Sequence, residues 1–181
     1  DCITLQPVTL YLKGKIRVIE DFPQKGISFK EITTLIKDGE AFKFVIKSLA
    51  DLVKDKNADI VVGPEARGFI IGAPLAYELG AGFVPTRKNG KLPAKTLNAE
   101  YKLEYGTDII QMHEDAIKPG QRVIVADDLL ATGGTALSNI DLVERVGGKV
   151  VAVAVVIELT ELGGRNVLQN YDVFSLVKYL S

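Results

Sequence analysis

The chain has 181 residues, with 22 Lys plus Arg against 23 Asp plus Glu and a formal net charge of -1. That balance argues against nucleic acid or an anionic membrane as the main partner, and the length suits one domain, spanning 1–181, with a real core. The lone cysteine, Cys2, allows no internal disulfide and points to a reducing, cytoplasmic setting, and no apolar run is long enough to span a membrane.

Val8–Ile19 reads as a helix with Leu12, Ile16 and Ile19 on one face. Residues 1–7 begin without an initiator Met, show no signal-peptide pattern, and are given no structural role. A loop over Asp21–Gly26 precedes a helix over Glu40–Val53, whose apolar face is Phe44, Ile46, Leu49 and Val53. A short strand at Ile60–Gly63, a helix over Gly68–Leu79 and a strand at Gly82–Thr86 come next. Residues 87–106 are the longest stretch without a buried pattern. Strands at Ile109–Met112 and Val123–Ala126 lead to a helix over Thr135–Val146, with Leu137, Ile140, Val143 and Val146 inward and Gly147 as its stop. A strand at Val150–Ile157, a short helix over Glu161–Leu168 and a strand at Val173–Val177 complete the order. This alternation predicts an α/β fold with a mainly parallel twisted sheet covered by helices on both faces. Ligands on such sheets bind at the carboxyl ends of the strands.

Residues 122–135 carry the most chemistry. An apolar strand ends in two carboxylates, Asp127 and Asp128, followed by a loop of small and hydroxyl residues, Ala131, Thr132, Gly133, Gly134 and Thr135, that opens a helix. Unpaired N–H groups and the positive dipole end at such a helix start suit a phosphate. The carboxylates would repel that phosphate, so their natural partners are the vicinal hydroxyls of a sugar. The segment is built for a sugar phosphorylated at one end.

Two further segments fall at the same predicted sheet edge. Gly63-Pro64-Glu65-Ala66-Arg67-Gly68 opens a second helix with an arginine beside it, suited to a second anionic group. The segment 87–106 begins with Arg87, Lys88 and Lys91 and ends in Glu104-Tyr105, and a loop this long inside a domain is usually functional. A mobile lid over an anionic substrate fits it.

These blocks resemble the type I phosphoribosyltransferase family, and Leu129-Leu130-Ala131-Thr132-Gly133-Gly134-Thr135 is most similar to the members that act on adenine. The resemblance covers about residues 10–178 and implies a small hood, from about residues 1–35 with C-terminal contributions. It implies that Asp127 and Asp128 hold the ribose hydroxyls of phosphoribosyl diphosphate (PRPP), and that Ala131 to Thr135 hold its 5′-phosphate. Glu65, Ala66, Arg67, Arg87, Lys88 and Lys91 would face the diphosphate, with a cis peptide between Glu65 and Ala66. Glu104 would be the acid–base group and Tyr105 the aromatic beside it, with Arg67, Lys88 and Lys91 also serving the reaction. The base would lie on Phe29, with Ile27 and Ser28 presenting main-chain groups, Lys30 standing where the family commonly has Arg, and Leu159 forming another wall.

The implied activity is purine salvage, in which adenine and PRPP give AMP and diphosphate. Mg²⁺ would be the cofactor, held mainly by the diphosphate, with Asp127 its one candidate protein contact. A homodimer is implied, with neither nucleic acid nor membrane as partner. Two alternatives stay open at this level. One is a hypoxanthine- or guanine-type enzyme. The other is a non-catalytic PRPP-sensing regulator, which would normally carry a nucleic-acid-binding element for which this chain has no room.

Overall fold

Apolar residues dominate Lys149–Leu159, and positions 151–157 are all buried, as a strand covered on both faces requires. A computed structural model describes residues 2–103 and 106–181, and this strand, β8, is an interior strand of its main sheet. In chain order the elements are helix α1 (Cys2–Lys13), strands β1 (Arg17–Ile19) and β2 (Phe29–Glu31), helices α2 (Thr33–Ile36) and α3 (Gly39–Val53), β3 (Ile60–Pro64) and α4 (Arg67–Leu79). There follow β4 (Gly82–Lys88), β5 (Thr96–Leu103), β6 (Gly106–His113), β7 (Arg122–Leu130), α5 (Gly134–Arg145), β8, α6 (Gly164–Val167) and β9 (Val173–Tyr179).

Seven strands form one sheet in the order β5-β6-β4-β3-β7-β8-β9. β4, β3, β7, β8 and β9 run parallel, while β6 is antiparallel to β4 and β5 to β6. Strand alternation sends Val61, Ile124, Ala152, Ala154 and Val156 to one core with α1, α3 and α4, and Val62, Val123, Val125, Val153 and Val155 to the face of α5. The expected fold is observed.

Several boundaries differ from the sequence reading. α1 starts at Cys2 and ends at Lys13, so the stretch expected as a helix to Ile19 supplies β1 instead. β1 pairs with β2 as a separate two-stranded sheet, with Ile19 opposite Phe29. In α3, Ala41 and Val45 are fully buried while Phe44 sits at the margin against Tyr11, with ring centroids 5.1 Å apart. Asp38 caps that helix by accepting the N–H groups of Glu40 and Ala41. In α5, Leu142 takes the buried place and Leu137 is exposed. The largest difference lies in 87–106. β4 continues to Lys88 and β5 occupies Thr96–Leu103, paired along its whole length with β6. The irregular part is therefore short, and Leu103 pairs with Gly106 across residues 104–105.

The site is positioned by a reversal of strand order. The β3–α4–β4 connection runs to one side and β7–α5–β8 to the other, so the carboxyl ends of β3 and β7 diverge. The last parallel partner of β3 on β7 is Val125, whereas β7 stays paired to β8 as far as Leu130. The β3–α4 turn is closely packed. A Cβ on Gly63 would lie 2.7 Å from the Gly68 carbonyl oxygen and 3.1 Å from the Phe83 ring. Backbone cannot retreat as a side-chain tip can, so Gly63→Ala is expected to destabilise the fold by about 1–3 kcal/mol, read as a lower midpoint in denaturant titration. An unchanged midpoint would show that the turn has slack.

Candidate functional site

Past Val125 the β3 side of β7 is open, and Asp127 and Asp128 stand at that opening. Two adjoining cavities of about 190 and 280 Å³ share Pro64, Arg67, Asp127, Asp128 and Thr135 as walls. The first is completed by the loop 129–134, the second by Glu65, Ala66, Lys88, Tyr101 and Ile110. Thus the acid pair, the small-residue loop and the β3–α4 turn meet in one crevice.

The loop 131–135 lines the first cavity. Gly133 is the N-cap of α5 at φ 90°, with no side chain capping the helix, so the first N–H groups of α5 have no partner from a cap. An added Cβ at Gly133 would meet Gly164 Cα and O at 3.2 Å, besides the strained φ. From behind, a Cβ on Gly164 would lie 2.5 Å from the Ala131 carbonyl oxygen. α6 therefore backs the loop by direct backbone contact.

The acid pair is electrostatically loaded. Asp128 is buried and its Oδ2 lies 3.0 Å from Arg67 Nε. Asp127 borders both cavities, and its Oδ1 accepts the Asp128 N–H at 2.8 Å. Burial, and next the charge of Asp128, push the Asp127 carboxyl well above the usual carboxylate range, against a smaller opposing pull from Arg67.

The diphosphate-side residues divide by strand alternation. Lys88 borders the second cavity, whereas Arg87 points to the other face of β4, near Glu65 Oε1 at 3.4 Å and with its guanidinium carbon 6.0 Å from the Phe69 ring centre. Arg87, expected at the diphosphate, lines neither cavity, because neighbours on a strand face opposite ways. Lys91 is exposed on the turn after β4 and also lies outside both linings. Glu65 accepts the Lys88 N–H at 2.7 Å, so its carboxylate holds the end of β4. The Glu65–Ala66 peptide is cis, as the resemblance implies. Glu104 and Tyr105 lie outside the described residues.

The β1–β2 sheet meets the crevice through Arg67, whose guanidinium carbon is 5.6 Å from the Phe29 ring centre. Phe29 is half-buried and packs edge-on against Phe22 at 5.3 Å. Ile27 is exposed beside it. Lys30, expected at the base, is buried, and its Nζ donates to the Ser28 carbonyl and hydroxyl and to the Ser181 carbonyl. It braces the hood segment, because its position in β2 opposes that of Phe29. Leu159 ends β8 and packs at the margin of the core shared with α1 and α3, outside both cavities. Among the polar wall residues, Tyr101 and Asn139 carried no role in the sequence reading. Asn139 had a signal, a polar residue four after Thr135 next to the inward position Ile140.

The Phosphoribosyl transferase domain family matches residues 32–178. The adenine phosphoribosyltransferase of Clostridium tetani is 61% identical over 168 residues, 93% of this chain and 98% of that protein. That of Clostridium perfringens is 62% identical over the same shares. Among solved structures, adenine phosphoribosyltransferase from Thermoanaerobacter pseudethanolicus superposes with a TM-score of 0.92 at 53% identity, covering 94% of this chain and 99% of that one. The Saccharomyces cerevisiae enzyme, complexed with an imino-altritol bisphosphate and adenine, gives 0.90 at 36%, covering 94% and 98%.

The raised Asp127 carboxyl has a sign that can be measured. Below the ordinary carboxylate value the group is protonated in folded and unfolded chains alike. As pH rises, the unfolded chain releases its proton first, and the folded state loses stability until the raised value is passed. Asp127→Asn keeps the oxygen that accepts from Asp128 and removes the charge. The ligand-free variant is expected to melt higher than wild type at pH 8, by about 2–4 °C per kcal/mol relieved, with the gap closing toward pH 4. A variant that melts equal to or below wild type at pH 8 would refute the repulsion.

Proposed function

We infer that this chain, which belongs to the adenine phosphoribosyltransferase family, works through the crevice between β3 and β7, converting adenine and PRPP to AMP and diphosphate in purine salvage. The observation that carries this is the meeting of two anion-suited helix starts with the paired acids between them. In this reading the loop 131–135 takes the 5′-phosphate on unpaired N–H groups, and Asp127 and Asp128 accept the ribose hydroxyls. The turn at Glu65, Ala66 and Arg67, with Lys88, receives the diphosphate end. Arg67 then faces three ways: toward Asp128, toward the leaving diphosphate, and toward Phe29.

Diphosphate departs from ribose C1 through an oxocarbenium-like transition state as adenine N9 attacks. Fixed cations at the departing oxygens stabilise the charge that develops there. Phe29 offers the purine a flat apolar face, and the backbone of Ile27 and Ser28, braced by Lys30, reads its edge. Glu104, with Tyr105 beside it, is carried into the mechanism by the family motif and manages the purine proton. Closure of the segment ending there excludes water that would capture the ribosyl cation. Arg87 acts through Glu65 and the end of β4, and Lys91 reaches the diphosphate only if the turn after β4 closes.

Mg²⁺ fits the donor chemistry here. Asp127 borders both cavities, its carboxylate is not the one paired with Arg67, and hard cations prefer such oxygens together with those of a diphosphate. When bound, the ion would neutralise charge on the leaving diphosphate. A homodimer and a cytoplasmic setting belong to the same proposal and rest on the resemblance.

The deciding experiment is initial-rate AMP formation from adenine, PRPP and Mg²⁺ beside hypoxanthine and guanine controls. Turnover with adenine alone is expected, and absence of turnover would overturn the reading. Glu104→Leu is expected to lower kcat by about 10²–10⁴-fold with little change in PRPP binding, and a near-normal kcat would remove Glu104 from the chemistry. Phe29→Ala should raise the adenine KM by roughly the factor that corresponds to about 0.5–1.5 kcal/mol of stacking. A fall in melting temperature with an unchanged adenine KM would make Phe29 a packing residue only.

A further inference from the structure

A buried polar chain crosses from one anion loop to the other, and the reaction as described makes no use of it. Thr86 on β4 is fully buried, and its hydroxyl donates to Asn139 Oδ1 on α5 at 2.5 Å. Asn139 is also fully buried, and its Nδ2 donates to the Thr135 carbonyl at 2.8 Å. At the other end the Thr86 carbonyl accepts the N–H of Glu65 at 3.0 Å. The path thus joins the first residue of the cis turn after β3 to the first turn of the helix behind the phosphate loop. It consists of three hydrogen bonds that link two side chains and three backbone groups.

Apolar side chains would fill the space between β4 and α5 without the penalty that buried polar atoms carry when unpaired. What a paired threonine and asparagine add is direction. Hydrogen bonds hold their partners to a narrow distance and angle, while apolar contact lets surfaces slide. The two loops they connect would grip opposite ends of one substrate.

We propose that Thr86 and Asn139 are positioning residues that set the separation between the diphosphate turn and the 5′-phosphate loop to the span of PRPP. The proposal rests on the reading given under Proposed function. Each loop alone binds its own phosphate group, and the bridge lets one molecule satisfy both at once. A ligand that engages only one loop gains nothing from it.

The test compares PRPP with its parts. Binding of PRPP with Mg²⁺, of ribose 5-phosphate, and of diphosphate with Mg²⁺ is measured by calorimetry on wild type and Thr86→Val, which keeps the side-chain shape and removes the hydroxyl. PRPP affinity is expected to fall by at least about tenfold, since small misplacements cost up to ~10²-fold, while each fragment changes by less than about twofold. Thr86→Ser returns the hydroxyl and should return PRPP affinity. Thr86→Val strands the Asn139 oxygen, so the double variant Thr86→Val/Asn139→Leu covers loss of folding. Removing both partners should recover melting temperature without recovering PRPP affinity. Equal weakening of PRPP and fragments, or PRPP affinity that returns together with stability in the double variant, would overturn the bridge. Wild-type turnover of adenine and PRPP on the same samples separates the two readings: turnover with an unmoved PRPP-to-fragment ratio in Thr86→Val sinks the bridge alone, and no wild-type turnover sinks the function and the bridge with it.

Discussion

Two adjacent carboxylates at a place where β3 has parted from β7 are the constraint around which this molecule is arranged. Burial and the charge of Asp128 both raise the cost of ionising Asp127. Arg67 relieves one of them at 3.0 Å and leaves the other facing the crevice. A folded chain retains such an arrangement where a ligand completes it, and the hydroxyls of a ribose and the cation accompanying a diphosphate are suited to do so. The site is thereby electrostatically prepared at a cost to the empty protein, which is the usual relation between a binding site and stability.

The surrounding structure supplies rigidity at the points where that preparation would otherwise relax. Gly63 and Gly68 let the β3–α4 turn fold back on itself, and Gly133 and Gly164 let α6 press against the loop 131–135. In each pair, backbone meets backbone at distances that a single methyl would violate. Polar groups complement this packing. Glu65 holds the end of β4 through the Lys88 N–H, and Lys30 braces Ser28 from inside the hood. Two loops and an acid pair from distant parts of the chain are thus held in one frame.

Much of this was legible in the chain. Parallel strands buried on both faces appear as continuous apolar runs, so Ile60–Gly63, Val123–Ala126 and Val150–Ile157 announced the sheet. The acid pair and its glycine loop were legible because small residues and charges at a strand end conflict with plain core packing. The segment from Thr96 to Leu103 was not, since one face of that strand carries Asn98, Glu100 and Lys102 and its partner strand is a hairpin neighbour. Its alternation resembles a solvated loop until the pairing is seen. The direction of Arg87 is hidden in the sequence for a related reason. Three cations within five residues suggest one anion, but the end of β4 turns Arg87 and Lys88 to opposite faces and leaves Lys91 on the turn beyond.

The sequence by itself determined the parallel strands, most of the helices between them, and the residue types that suit a phosphorylated sugar, because these follow from local periodicity and from charges that only a ligand explains. Only the tertiary structure decided which residues share the crevice. Arg67 beside both Asp128 and Phe29, Lys88 inward with Arg87 outward, Lys30 turned to Ser28 and Ser181, and Thr86 joined to Asn139 across 53 positions are long-range or register-dependent facts. The physical reason is that a side chain's type is written in the sequence, whereas its direction depends on the pairing and twist of strands that other segments impose.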